Sequence, residues 1–91
     1  MNAPRRKNLS KIITAIEELK SQLEDQNTDL EELNDDEQSA FSNLPENLEG
    51  SERYERAETA ANALEEALEA LQEALDQLDA CVESINEASE A

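Results

Sequence analysis

The sequence contains no histidine and no tryptophan, and it has only one glycine, two prolines and one cysteine. Without histidine, the chain lacks the commonest general base and metal-binding nitrogen. One cysteine supplies neither an internal disulfide nor the ligands of a zinc site. There is no glycine-rich phosphate loop and no Ser-His-Asp set, and the acidic stretch 29–37 lacks the glycine turn of an EF-hand. We therefore expect a protein that is not an enzyme and uses no metal and no cofactor.

The scarcity of aromatic, glycine and proline residues excludes most sheet architectures and favours long helices. The second half of the chain carries an unbroken heptad pattern, which predicts a helix that packs one apolar seam against a partner. The seam residues are Tyr54, Ala57, Ala61, Leu64, Leu68, Leu71, Leu75, Leu78, Val82 and Ile85.

A row of small residues runs beside this seam, seven residues apart, at position g if Tyr54 is position a. A helix that is apolar at a, d and g contacts two neighbours. We therefore expect the row to form a homodimer interface, which would complete a four-helix bundle. The row consists of Ala60, Ala67, Ala74, Cys81 and Ala88.

The first half of the chain carries a second heptad series, flanked by Ile13 and Phe41. Two of its positions, Gln26 and Glu37, are polar, so we expect a register device or a water-bridged weak point at Gln26 and a local opening or kink near residues 34–39. The predicted seam is Leu9, Ile12, Ile16, Leu19, Leu23, Gln26, Leu30, Leu33, Glu37, Ala40 and Leu44.

These patterns predict one all-α domain over residues 1–91, an antiparallel coiled-coil hairpin. Pro45 ends a first helix over 5–44, because proline removes a backbone donor and restricts the preceding residue. The turn 45–50 forms one irregular or 3₁₀ turn. Ser51 follows Gly50 as a helix cap, and the second helix covers 51–87.

The charge is strongly one-sided, with 24 acidic against 7 basic residues and a formal net charge of −17. Such a surface repels nucleic acid and anionic membranes and attracts basic proteins. Arg5, Arg6 and Lys7 open the chain. We expect them either to pair with Glu83, Glu87 and Glu90 across the hairpin or to contact a partner or nucleic acid. No long apolar run and no secretory signal is present, which favours the cytoplasm of a bacterial host.

Carboxylates follow the outer face of the second helix, and no basic residue occurs from 57 to 91. Coiled-coil exteriors usually mix acids and bases, since opposite charges at i,i+4 stabilise helices and like charges destabilise them. The face is either a solvated exterior or a binding surface that mimics nucleic-acid phosphates. The candidate partner-binding residues are Glu65, Glu66, Glu69, Glu73, Asp76, Asp79 and Glu83.

Residues 37–53 read Glu-Gln-Ser-Ala-Phe-Ser-Asn-Leu-Pro-Glu-Asn-Leu-Glu-Gly-Ser-Glu-Arg, and Leu-Glu-Glu-Ala repeats follow. This segment resembles a group of short acidic helical proteins from prophages and other mobile elements of Gram-positive bacteria. The likeness includes the Arg-Arg-Lys start, but Tyr54-Glu55-Arg56 stands where that group has glycine and further charges. By analogy, the resemblance implies a small inhibitor of a host defence enzyme, such as an anti-CRISPR or anti-restriction protein.

We therefore expect a binding protein of phage type that blocks a basic nucleic-acid-binding host protein, without contacting nucleic acid or membrane itself. One alternative is a structural adaptor that acts through its apolar a, d and g faces. Another is an acidic chaperone for a basic protein.

Overall fold

A computed structural model describes residues 1–91 and contains helices but no strands. Helix α1 spans Ala3–Ser42, a short 3₁₀ helix spans Glu46–Leu48, and helix α2 spans Glu52–Glu90. The two long helices pack against each other as a hairpin, so the predicted all-α helical hairpin is confirmed. Helix α1 begins and ends two residues earlier than predicted, and α2 extends three residues further.

The connection between the helices follows its local sequence. Pro45 stands between the last turn of α1 and the 3₁₀ helix, as its fixed φ and missing donor require. Gly50 adopts a left-handed φ of +79°, which glycine tolerates best. The amide of Tyr54 donates to the Ser51 Oγ at 3.1 Å, so Ser51 caps α2 as predicted. Leu48 is half-buried beside this turn.

The chain divides into two compact units, one made of residues 1–25 and 72–91 and the other of residues 26–71. In the unit 26–71, the rings of Phe41 and Tyr54 lie 5.1 Å apart between centroids. Ala61 is buried with 1% of its surface exposed, and Asn34 is buried with 8% exposed. The Gln38 Nε2 donates to the Ala61 carbonyl at 2.8 Å and to Asn34 Oδ1 at 3.3 Å. The predicted opening near 34–39 is therefore wrong, because these amides close the seam there.

In the unit formed by 1–25 and 72–91, Lys20 of α1 forms an ion pair with Asp79 of α2. The same ammonium lies 3.6 Å from a carboxylate oxygen of Glu24, one turn further along α1. Lys20 therefore joins the two helices from a position of the α1 seam, where an apolar side chain would be usual.

Arg6 and the amino-terminal group at the start of α1 contact the end of α2 in the same unit. Arg6 Nε donates to the carbonyl of Ser89 at 2.9 Å, and the amino terminus donates to the carbonyl of Ala91 at 3.0 Å. Cations at a helix carboxyl end satisfy its free carbonyls and complement the helix dipole. Arg6 thus reaches α2 through a backbone carbonyl, and none of Arg5, Arg6 and Lys7 forms an ion pair with Glu83, Glu87 or Glu90.

The α2 seam is confirmed, since all ten predicted positions are half-buried or buried. The α1 seam is half wrong. Leu9, Ile16, Leu23, Leu30, Glu37 and Leu44 are half-buried as predicted. The alternate positions are exposed: Ile12, Leu19, Gln26, Leu33 and Ala40. Their place in the seam is taken by the next residues in the chain: Ile13, Lys20, Asn27, Asn34 and Phe41.

Specific contacts explain this rotation of α1. Each residue advances about 100° around a helix, so the position next to an exposed residue can face the partner. The Phe41 ring packs on Tyr54, Lys20 pairs with Asp79, and Asn34 is linked through Gln38 to α2. Each of these contacts requires that Lys20, Asn34 or Phe41 faces α2, which this rotation of α1 provides. The rotation leaves part of the apolar surface of α1 exposed to water.

Candidate interaction surfaces

The structure places three kinds of residue on separate sectors of α2. We label Tyr54 position a of α2 and Ile13 position a of α1. Positions a and d of α2 pack on α1, positions e, b and f form a second sector, and positions c and g form a third. Each of the two exposed sectors has its own chemistry.

The acidic sector comprises the exposed carboxylates of α2 at positions e, b and f after residue 57. After residue 57, every acidic residue of the chain lies on this sector, and none occupies c or g. All seven predicted partner-binding residues belong to it and are exposed. The full set is Glu58, Glu65, Glu66, Glu69, Glu73, Asp76, Asp79, Glu83, Glu87 and Glu90.

Asp79 differs from the other predicted partner-binding residues. Its carboxylate accepts a hydrogen bond from Lys20 and, with Glu24, raises the pKa of that ammonium above its usual value, against a smaller opposing effect of desolvation. Asp79 therefore contributes to joining the helices as well as to the acidic sector. The remaining six carboxylates form no ion pair, so their negative field is not neutralised within the chain.

The neutral face comprises positions c and g of α2 from residue 60 to residue 88. None of its nine side chains carries a charge, and all but Ala60 are exposed. The five predicted dimer-interface residues form its g row. Cys81 is an exposed free thiol. The face consists of Ala60, Ala63, Ala67, Ala70, Ala74, Gln77, Cys81, Ser84 and Ala88.

The α1 stripe comprises the exposed g positions of α1, namely Ile12, Leu19, Gln26, Leu33 and Ala40. Ile12, Leu19 and Leu33 are 48%, 56% and 59% exposed, which is unusual for large apolar side chains at regular spacing. The sequence reasoning missed this surface because it assigned these residues to the hairpin seam. Ile13 and Phe41, which flank the series, were the signal that α1 could rotate.

Within each unit, equal heptad positions of the two helices lie on the same side, because the helices are antiparallel and face each other through a and d. The contacts of Lys20 show this directly, since its two carboxylate partners, Glu24 and Asp79, both occupy position e. In the unit 1–25 with 72–91, Ile12 and Leu19 therefore share a side with the neutral face. In the unit 26–71, Leu33 does so too.

The rest of the chain has fewer features that indicate a functional site. An open depression of about 430 Å³ lies on α2 beside Glu52, Arg56, Thr59 and Ala63, where Arg56 and Glu52 form an ion pair. No group of three or more cysteine, aspartate or glutamate residues is arranged to hold a metal ion. Neither helix contains a stretch that is long and apolar enough to span a membrane.

Comparison with protein-family models, with curated proteins and with solved structures finds no match for this chain. The resemblance of residues 37–53 to helical proteins of mobile elements therefore stays a prediction. Any functional conclusion depends on the surfaces described above.

Proposed function

We propose that this chain is a non-enzymatic acidic binding protein of phage or prophage type. It dimerises through its uncharged surfaces and presents the acidic sector of α2 to a basic, nucleic-acid-binding protein of the host, in the place of nucleic acid. The observation that supports this proposal is the separation of charge on α2. The carboxylates occupy one sector and the exposed small residues another, so a dimer contact and a charged partner do not compete for surface.

The acidic sector has the features that binding to a basic, phosphate-binding groove requires. Its carboxylates recur along a rigid helix, at axial intervals of about 5 Å on average. They are exposed, and only Asp79 has a basic partner. A target that binds phosphates with Lys and Arg side chains would find regularly spaced negative charge without bases, electrostatically similar to one strand of nucleic acid.

The total exposed surface supports self-association. The chain exposes 6656 Å² at a mass of 10.1 kDa. A globular monomer of that mass exposes about 5,300 Å², so the excess is roughly 1,300 Å². A standard protein interface buries about 800 Å² on each partner. The excess is large enough to supply such an interface.

The proposal is tested by reversing four charges of the acidic sector to lysine: Glu66, Glu69, Glu73 and Asp76. The immobilised chain is used to capture nucleic-acid-binding proteins from a bacterial lysate, and each captured protein is assayed for DNA and RNA binding with and without free chain. The chain should displace the nucleic acid, and its affinity should fall steeply between about 50 and 200 mM salt. The four reversals should abolish displacement while helix content is retained.

A matched variant reverses four acidic residues of α1 instead, Glu18, Asp25, Glu32 and Asp35. It changes the net charge by the same amount and should retain most of the displacement. If both variants lose activity equally, net charge rather than the acidic sector of α2 governs binding. If neither loses activity, the mimicry proposal is wrong.

The exposed α1 stripe and the neutral face of α2 support a second candidate, a structural adaptor that binds partner helices through apolar contacts. This candidate predicts that Ala67→Glu or Ala74→Glu removes partner binding, whereas the four reversals of the acidic sector leave it intact. Mimicry predicts that the reversals are the more damaging change. Both sets of variants are measured with the same captured partner.

A further inference from the structure

The α1 stripe has an approximately symmetric composition about its middle residue. Ile12 and Leu19 precede Gln26, and Leu33 and Ala40 follow it at the same intervals of seven residues. In an antiparallel contact of the stripe with a second copy of itself, Leu19 would meet Leu33 of the other copy and Gln26 would meet Gln26. Two facing amides can each donate and accept a hydrogen bond, whereas a shifted register would leave each amide against an apolar side chain.

The charges beside the stripe distinguish the two possible orientations. Position c of α1 lies next to g and carries Asp29 and Asp36, while Lys11 lies at the other end of the helix. In a parallel contact each of these residues would lie beside its own copy, which brings like charges together. In an antiparallel contact centred on Gln26, Asp29 lies opposite Gln22 and Asp36 opposite Ala15.

Antiparallel docking also brings opposite charges together. Lys11 forms no ion pair within its own chain. It would lie roughly 7 Å along the axis from Asp36 of the other copy, within the reach of a lysine side chain. The two α1 helix dipoles would also oppose each other favourably.

The neutral face of α2 fits the same arrangement. Its g row is centred on Ala74, so that an antiparallel contact pairs Ala67 with Cys81 of the other copy and Ala60 with Ala88. Small side chains at each of these positions allow two helices to approach to about 8 Å. The absence of charge on this face means that two chains of net charge −17 can meet there with their carboxylates turned away.

We propose that two copies dock with their hairpins antiparallel, α1 against α1 and α2 against α2, with Gln26 facing Gln26 and Ala67 facing Cys81. This inference rests on the dimer of the proposed function and specifies its orientation and contacts. It leaves the acidic sectors of both copies exposed on the outside of the assembly.

Oxidation of Cys81, the native thiol, tests the orientation. In the proposed dimer two Cys81 side chains are separated by about 21 Å along the axis, too far for a disulfide. The wild-type chain should therefore remain uncrosslinked after mild oxidation. Ala67→Cys, with Cys81 retained, should give a covalent dimer on a non-reducing gel. Ala67→Cys with Cys81→Ala should not, and it controls for random collision.

A second set of variants tests the α1 contact in a Cys81→Ala background. Leu19→Cys alone and Leu33→Cys alone should form little covalent dimer, whereas a mixture of the two chains should form a mixed disulfide. Parallel docking would instead crosslink each single variant to itself.

Sedimentation of the reduced wild-type chain separates failure of this inference from failure of the proposed function. A dimer mass with the expected crosslinks supports the arrangement. A dimer mass with Cys81 crosslinked to itself, or with no crosslink in any variant, overturns the orientation but keeps the dimer. A monomer mass overturns both the dimer and its orientation, while the charge-reversal assay still reports separately on the acidic sector.

Discussion

Lys20 of α1 forms an ion pair with Asp79 of α2, from a position in the seam where an apolar side chain would otherwise pack. The Lys20 side chain is 27% exposed and the Asp79 side chain is 58% exposed, so water screens the pair. The pair therefore contributes more to register than to stability. A shift of one heptad would move the ammonium away from Asp79 and towards Gln72 or Asn86, which carry no charge.

A charge-swap cycle measures this contact. Lys20→Glu and Asp79→Lys should each lower the free energy of unfolding slightly, because each brings like charges together at a solvent-screened site. The double variant should recover most of the loss, since the pair is restored in reverse. Urea unfolding followed by circular dichroism gives the coupling energy. Strictly additive effects would show that the two side chains do not interact in solution.

The ion pair of Lys20 and Asp79 also makes the stability of the fold depend on pH. The hydrogen bond to Asp79, followed by the charges of Asp79 and Glu24, raises the pKa of Lys20. A lysine whose pKa is higher in the folded state stabilises the fold fully below its unfolded pKa. That stabilisation is lost as the pH rises through the folded pKa. In Asp79→Asn, an NMR titration of Lys20 should show a lower pKa than in the wild type, and an unchanged pKa would contradict the contact.

Ala61 makes a packing prediction, since it is the most buried residue of the chain at 1% exposure. Ala61→Leu adds volume where α1 approaches α2 closely and displaces the Gln38 amide from the Ala61 carbonyl. We expect a loss of about 1–3 kcal/mol in the free energy of unfolding. Ala80→Leu makes the same change at an exposed position of α2 and should alter stability by less than about 0.5 kcal/mol. Equal effects in thermal unfolding would refute close packing at Ala61.

The heptad pattern predicted the seam of α2 correctly but the seam of α1 only in part. Every predicted seam position of α2 is buried or half-buried, because its a and d positions carry mostly large apolar residues from Tyr54 to Ile85, whereas the neighbouring g row carries only small ones. On α1, two series overlap, since positions a, d and g each contain apolar residues. Periodicity alone could not choose between Leu19 and Lys20. The choice depends on Asp79, which belongs to α2. The sequence of α1 alone therefore does not decide which of the two residues faces α2.

Gly50 tests the connection between the helices. A Cβ added at Gly50 would meet no atom within 4 Å, so a substitution acts only through the left-handed φ of +79°. Gly50→Ala should lower the free energy of unfolding by about 1–2 kcal/mol. Gly50→Asn should cost less, because asparagine tolerates this conformation better than other side chains. Thermal unfolding of both variants gives the comparison, and equal losses would argue against a backbone origin.

The candidate surfaces were predictable to different degrees. The acidic sector and the small-residue row are periodic along one helix, so residues such as Glu69 and Ala74 could be assigned without a structure. The α1 stripe could not be assigned, because its exposure depends on the rotation of α1. The burial of polar amides in the seam could not be assigned for the same reason. Asn34 and Gln38 are buried or half-buried by their contacts with α2, and Asn27 leaves its Oδ1 enclosed without a donor.

Glu69→Lys, a substitution on the acidic sector, should have opposite effects on stability and on partner binding. Glu65 and Glu73 lie four residues to either side of Glu69, so each is a like-charge neighbour on the helix surface. Lysine at this position turns both repulsions into attractions and should raise the free energy of unfolding by roughly 0.5–1.5 kcal/mol. Binding to the captured basic partner should weaken at the same time, because a positive charge interrupts the row of carboxylates.

Glu18→Lys is the matched control, since it changes the net charge equally but has Thr14 and Gln22 as its neighbours four residues away. It should change stability by less than Glu69→Lys and leave partner binding nearly intact. Thermal unfolding and equilibrium binding are measured on both variants. A Glu69→Lys chain that is both more stable and an equally good binder would mean that the row of like charges serves no partner. A more stable chain that binds less well would show that the repulsion along α2 is maintained for recognition.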